Sequence, residues 1–134
     1  MTQLKDLHIV IAEDDEDDAE IIQQSFEKHT AFRKVDVVNN GKELLSFLKN
    51  NTTKPDVILT DINMPILNGI EALKEISEDL MLSVIPAFVY STTINPVYEA
   101  KSLELNSKGF LIKPYNLQGF DDIPEKIIAF LRDL

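Results

Sequence analysis

Short apolar runs alternate with longer amphipathic stretches along the whole chain. The first run, LHIVIA at 7–12, is continuous and β-branched, the pattern of a strand buried on both faces. Behind it, DDAEIIQQSFEKH sets Ala19, Ile22 and Phe26 on one helical face and predicts a helix ending near His29. RKVDVV (33–38) predicts the second strand, and NNGKELLSFLKNN a helix that opens on an Asn cap and turns Leu44, Leu45 and Leu48 inward. PDVILT (55–60) predicts the third strand, and GIEALKEISEDL a helix to about residue 80 with Ile70, Leu73 and Ile76 in register. VIPAFVYS (84–91) predicts the fourth strand, with Pro86 near its start, where a missing donor is tolerated. NPVYEAKSLELN predicts a shorter helix, with Asn106 placed to take a left-handed cap conformation. GFLIK (109–113) predicts the fifth strand. DDIPEKIIAFLRDL predicts a closing amphipathic helix carrying Ile127, Ile128, Phe130 and Leu131.

Five strand-then-helix units predict an α/β fold: one doubly wound parallel sheet, joined by right-handed crossovers and covered by helices on both faces. No internal repeat, low-complexity tract or linker interrupts it. Open sheets of this kind bind ligands beyond the carboxyl ends of their strands. Glu13, Asp14 and Asp15 follow the first strand, and Asp61 follows the third. Ser91 and Thr92 stand at the end of the fourth, and Lys113 at the end of the fifth. Acids, hydroxyls and one lysine from distant segments are thus expected on one rim.

Composition narrows the chemistry. A length of 134 residues fits one domain, and 44% hydrophobic residues suffice for a core. The net charge of −10 argues against nucleic acid and against anionic membrane surfaces as partners. The absence of cysteine removes disulfides, thiolate metal sites and a thiol nucleophile. No apolar run is long enough to cross a bilayer, and the N-terminus lacks the basic start and cleavage site of a signal peptide, so a cytoplasmic domain is expected.

Asp14 and Asp61, brought to one end of a sheet, suit a hard divalent cation, and magnesium prefers such oxygens. The metal would keep the carboxylates ionised, and one of them could attack a phosphoryl group to give an aspartyl phosphate. Lys113, the metal and the Ser91 hydroxyl could then balance charge on the transferring oxygens. The remaining acids, Asp15 to Asp18, are expected at a helix start, where the macrodipole favours each by roughly 0.3–1 kcal/mol. DINMP is not a calcium loop, because Pro65 and Ile66 fall where that loop needs an oxygen ligand and a Gly. NNGKE lacks the upstream glycine and the Ser or Thr of a phosphate loop. His8 and His29 carry no signal of chemistry.

IVIAEDD, VILTDINMPILNG, VYST and GFLIKPY, in this order and spacing, resemble the receiver domain of the two-component response-regulator family, in its single-domain, chemotaxis-regulator-like form. The resemblance spans essentially residues 1–134, and no output domain is expected. It implies a flavodoxin-like (βα)5 fold with strand order 2-1-3-4-5 and Asp61 as phosphoacceptor. It further implies Mg2+ held by Asp14, Asp61 and the backbone carbonyl of Asn63, with Glu13 acting through water. Ser91, with Thr92 as a competitor, and Lys113 match the phosphoryl-binding positions. Phe110 matches the aromatic switch position, and Pro65 and Gly69 the turn after the acceptor. The Lys113–Pro114 bond is expected to be cis, a state of about 5–6% of X-Pro bonds. Thr93 and Asn63 flank the site and are expected to tune the lifetime of the phosphoryl group. Three departures stand out: Glu13 is longer than Asp, Phe110 lacks a tyrosine hydroxyl, and Asn106 replaces a common Gly.

The expected function is a phosphorylation-dependent switch. A sensor histidine kinase or histidine phosphotransfer protein would supply the phosphoryl group. A changed face, including Phe110 and the last helix, would bind a downstream protein target; a homodimer through that face is compatible with the sequence. The chain would then catalyse only its own phosphorylation and dephosphorylation. Two rivals are a receiver-like binding module that is never phosphorylated and a magnesium-dependent phosphatase with an Asp nucleophile. A haloacid-dehalogenase-type enzyme needs a second Asp two residues after the nucleophile, where this chain has Asn63.

Overall fold

The structure, a computed structural model, describes residues 4–92 and 95–134. Its elements follow the alternation: β1 (Leu7–Ala12), α1 (Glu16–Glu27), β2 (Phe32–Val38), α2 (Gly41–Asn50), β3 (Val57–Asp61), α3 (Gly69–Glu78), β4 (Ala87–Ser91), α4 (Pro96–Glu104), β5 (Gly109–Ile112) and α5 (Leu117–Arg132). The strands form one parallel sheet in the order β2-β1-β3-β4-β5. β1 therefore has β2 on one side and β3 on the other, and the strand order reverses beside it.

The period-2 alternation of each strand sorts its side chains between two cores. Ile9, Ile11, Leu59, Phe88 and Leu111 pack with Ile22 and Phe26 of α1 and Ile123 and Ile127 of α5. Val10, Ala12, Ile58 and Val89 pack on the other face with Leu44 and Leu48 of α2 and Leu73 and Ile76 of α3. Burying each of these side chains larger than alanine contributes about 1.5–3 kcal/mol. Two complete apolar layers can therefore hold a charged cluster at the rim that by itself costs free energy. Among the described residues, no helix is long and apolar enough to cross a membrane.

Helix ends follow side-chain chemistry. Asp15 caps α1 by accepting from the Asp18 N–H, and Glu16, Asp17 and Asp18 fill the first turn. Asn40 caps α2, and Asn68 and Glu71 form a capping box on α3. Asn106 takes φ 70 after α4, the left-handed conformation expected of it.

Several boundaries move from expectation, and at three of them the contacts give the reason. β4 begins at Ala87, after Pro86, because the Pro86 carbonyl accepts from Ile58 N–H but proline has no donor to extend the ladder. α3 stops at Glu78, where the Asp79 side chain turns to accept from the N–H groups of Met81 and Leu82. α5 begins at Leu117, four residues before Asp121. Asn116 accepts from Gly119 N–H at 2.8 Å and starts the helix there, which leaves Pro124 inside it, buried in the α5 core stripe.

Candidate functional site

Glu13 and Lys113 each stand one residue beyond their strands, and both continue the ladder. Glu13 N–H donates to the Val38 carbonyl at 2.9 Å, and Lys113 N–H to the Ser91 carbonyl at 2.7 Å. The alternation that carries Ile11, Leu59, Phe88 and Leu111 into the α1–α5 core therefore carries Glu13, Asp61, Tyr90 and Lys113 to the same face, at the carboxyl rim.

These four side chains meet. Lys113 Nζ lies 2.9 Å from Asp61 Oδ2 and 2.8 Å from Glu13 Oε1, with Asp18 Oδ2 at 3.3 Å. Asp61 Oδ1 accepts from Ile62 N–H at 2.7 Å. Glu13 is fully buried; its Oε1 also accepts from the Tyr90 hydroxyl at 2.5 Å, and its Oε2 accepts from Asp15 N–H at 3.1 Å. The Lys113 ammonium sits 4.9 Å from the centre of the Tyr90 ring, a cation–π contact.

Electrostatics at this site are unbalanced. Burial pushes the Asp61 carboxyl up to about 6, and the hydrogen bond and charge of Lys113 only partly offset it. Burial alone would lower Lys113, but its hydrogen bonds to Glu13 and Asp61 outweigh that and hold it above the usual lysine range. The lysine is therefore charged, and the acids around it outnumber it.

Surplus acid of this kind suits a cation. Carboxylate oxygens of Glu13, Asp14 and Asp61 all lie within 4.8 Å of one another, with Asp14 exposed to solvent. Hard oxygen donors, one of them open to water, fit a divalent ion such as Mg2+.

Gly69 is required by close approach. A Cβ there would fall 2.1 Å from the Asp61 carbonyl oxygen, so α3 can begin directly against the end of β3 only without a side chain. Gly69 N–H donates to the Ile62 carbonyl at 2.8 Å, which closes that turn. Asn63 and Pro65 lie exposed in it.

Ser91 is buried at the end of β4, on the face of Val89 rather than that of Tyr90. Thr92 is exposed. Neither side chain hydrogen-bonds to Asp61 or Lys113 among the described residues. Phe110 is half-buried against the α2–α3 core. Thr93 lies outside the described residues.

The expected cis Lys113–Pro114 bond is not found: the described residues contain no cis peptide. Trans is the favoured isomer by about 0.5–1 kcal/mol. The trans bond also seats the Pro114 ring against Gly119, where a Cβ would fall 2.3 Å from the ring.

The pattern missed two residues of the cluster. Asp18 stands in the first turn of α1, as its residue type predicts, yet it also reaches Lys113. Tyr90 read as strand apolar content; a hydroxyl amid the buried run AFVYS was the available signal. The histidines are structural. His8 Nε2 lies 2.7 Å from Asp36 Oδ2 at the far end of β1, and His29 Nε2 2.9 Å from Glu125 Oε2 of α5.

Known proteins match this arrangement. The family model for the response regulator receiver domain matches residues 9–123. Response regulator Rcp1 of Synechocystis sp. is 28% identical over 127 residues, covering 91% of this chain and 86% of Rcp1. A crystal structure of the phosphorylated cyanobacterial phytochrome response regulator RcpA superposes with a TM-score of 0.85 at 32% identity, covering 92% of each chain. The Mn2+-bound form of Rcp1 gives 0.82 at 27% identity, covering 93% of this chain and 94% of that one. The chain also aligns with a protein-glutamate methylesterase of Methanococcoides burtonii, 31% identical over 100 residues, but spans only 28% of its length. With its acids and lysine gathered at the carboxyl rim of a 2-1-3-4-5 sheet, the chain belongs to the response regulator receiver domain family and is a phosphoacceptor signalling switch.

Proposed function

We propose that Asp61 is the phosphoacceptor and that the chain takes its phosphoryl group from the phosphohistidine of a sensor histidine kinase or histidine phosphotransfer protein. One observation carries this reading: the Asp61 carboxylate is buried, fixed through both oxygens, and faces Lys113 and two further acids at the rim. Ile62 N–H and the Lys113 ammonium hold it in one orientation, which removes rotational freedom that a free carboxylate would lose on reaction. An Asp61 oxygen forms the new P–O bond, and the P–N bond breaks with its electron pair leaving on the donor imidazole.

Asp14, Asp61 and the Asn63 carbonyl would hold Mg2+, with Glu13 acting through water. When bound, the ion would supply positive charge that offsets the carboxylates and the charge of the transferring group. Lys113 supplies the other positive charge, from the side where it already meets Asp61. Ser91 and Lys113 then bind the phosphoryl oxygens. Their movement biases the packing of Phe110 against the α3–α4 side of the sheet, and a changed protein-binding face passes the signal to a target. The chain catalyses only the gain and loss of its own phosphoryl group.

Intact mass after incubation with acetyl phosphate tests this, with and without Mg2+, on the wild type and on Asp61→Asn. Gain of one phosphoryl group that needs the metal and vanishes in the variant is expected. No gain under any condition would favour a binding module that is never phosphorylated, and steady turnover of phosphate esters would favour the phosphatase.

A further inference from the structure

The interior of β4 is apolar apart from one hydroxyl. Tyr90 is fully buried and belongs to the apolar cluster that also holds Ile9, Ile11, Phe88 and Leu111. A buried hydroxyl costs free energy unless it is hydrogen-bonded, and a phenylalanine would fill the same space without that cost. The hydroxyl spends its one donor on Glu13 Oε1, the oxygen that Lys113 also meets. Burial, followed by the charge of Glu13, pushes the phenol well above its ordinary range, so it stays a donor at neutral pH.

We propose that Tyr90 is a positioning residue for Lys113. Its hydroxyl fixes Glu13 Oε1 beneath the ammonium, and its ring forms the floor on which the ammonium rests. The geometry divides the work. Glu13 has both oxygens directed by the protein, Oε1 by Tyr90 and Oε2 by Asp15 N–H, so its charge is held in one place. Lys113 has four flexible methylenes and, without a fixed anion and a floor, would follow Asp18 toward the half-exposed edge, where a carboxylate already stands at 3.3 Å. With them it stays 2.9 Å from Asp61. Register makes this local to the site, because Tyr90 is the β4 residue paired with Asp61 across the ladder.

The inference rests on Asp61 being the phosphoacceptor only in its kinetic part, and the test separates the two. The first measurement uses no phosphodonor: 1H–15N NMR of the Lys113 ammonium in the metal-free protein. In wild type a slowly exchanging signal is expected, shifted by the Tyr90 ring. In Tyr90→Phe, which keeps the ring and the packing, the signal should exchange at least several-fold faster. An unchanged signal overturns the proposal whatever the protein's chemistry.

The second measurement is the rate of phosphorylation by acetyl phosphate at saturating Mg2+, for Tyr90→Phe, Glu13→Gln and the double variant. Tyr90→Phe should slow the maximal rate about tenfold, as expected for loss of one hydrogen bond to a charged group. The donor concentration giving half the maximal rate should stay unchanged. In the Glu13→Gln background the same substitution should have less than a twofold effect, since Tyr90 acts through Glu13. A wild-type rate in Tyr90→Phe, or full additivity in the double variant, overturns it. A wild type that never gains a phosphoryl group would remove the Asp61 reading, while the ammonium signal still decides what Tyr90 does.

Discussion

β1 carries a buried ionisable side chain at each end, and the two are treated in opposite ways. At its start, His8 has one acid for its ring, Asp36 at 2.7 Å, and that acid is a third exposed, so water shares its charge. The His8 N–H is taken by Asp56 and the ring edge meets Phe47. Just past the other end, Glu13 lies fully buried in a group where three carboxylates meet one ammonium and Asp14 stands close by. The first arrangement is closed, and it needs nothing else to be satisfied. The second is short of positive charge, which is the condition that makes it receptive to a cation. A buried ion cluster is therefore read by its balance rather than its presence.

Lys113→Met should break the contrast most severely. It leaves Glu13 buried and uncompensated, so unfolding by urea at neutral pH should show a loss of about 3–5 kcal/mol. A loss below 1 kcal/mol would mean that the rim is no more dependent on its cation than the His8 end.

Asp61→Asn should act with the opposite sign in metal-free protein. The folded carboxyl titrates near 6 against 3.8 unfolded, so the folded state holds the proton more tightly. Its contribution to stability is present below about pH 4 and lost as pH rises through 6, by about 3 kcal/mol at most. Chemical denaturation from pH 4 to 7 should show this decline in wild type and not in the Asn variant. A wild-type curve parallel to that of the variant would show that Lys113 fully neutralises Asp61.

Magnesium should return what ionisation costs. At a hundred times its dissociation constant the ion should stabilise the wild type by about 2.7 kcal/mol. Asp14→Asn should lose most of that gain while changing metal-free stability little, because Asp14 is exposed. Equal stabilisation of both proteins would place the ion elsewhere.

The smallest effect belongs to the closed end. His8→Phe removes a partner from the partly exposed Asp36 and retains a ring beside Phe47, so it should cost about 1 kcal/mol and leave phosphorylation unchanged. A large cost would make the two ends alike.

Most of the architecture was legible because it rests on local rules. Alternation of apolar runs with amphipathic stretches gave all five strands, and the caps Asn40 and Asn106 could be read from residue type alone. Boundaries failed where a side chain outside the periodic pattern intervened, as Asp79 did for α3 and Asn116 for α5. At the site, Asp14, Asp61 and Lys113 were visible because they stand at strand ends. Asp18 and Tyr90 were not, since each already had a sufficient local explanation, a helix start for one and a strand interior for the other.

The sequence by itself determined the order of elements, the acid-rich composition and which strand ends carry chemistry, because these depend on periodicity and residue type within a few neighbours. Only the tertiary structure decided which oxygens share the Lys113 ammonium, that Tyr90 props Glu13, and that Pro114 follows a trans bond against Gly119. Those depend on packing between segments as much as 100 residues apart, as Lys113 is from Glu13. Distances of a few tenths of an ångström between such segments are set by the close-packed core around them, and no local pattern encodes them.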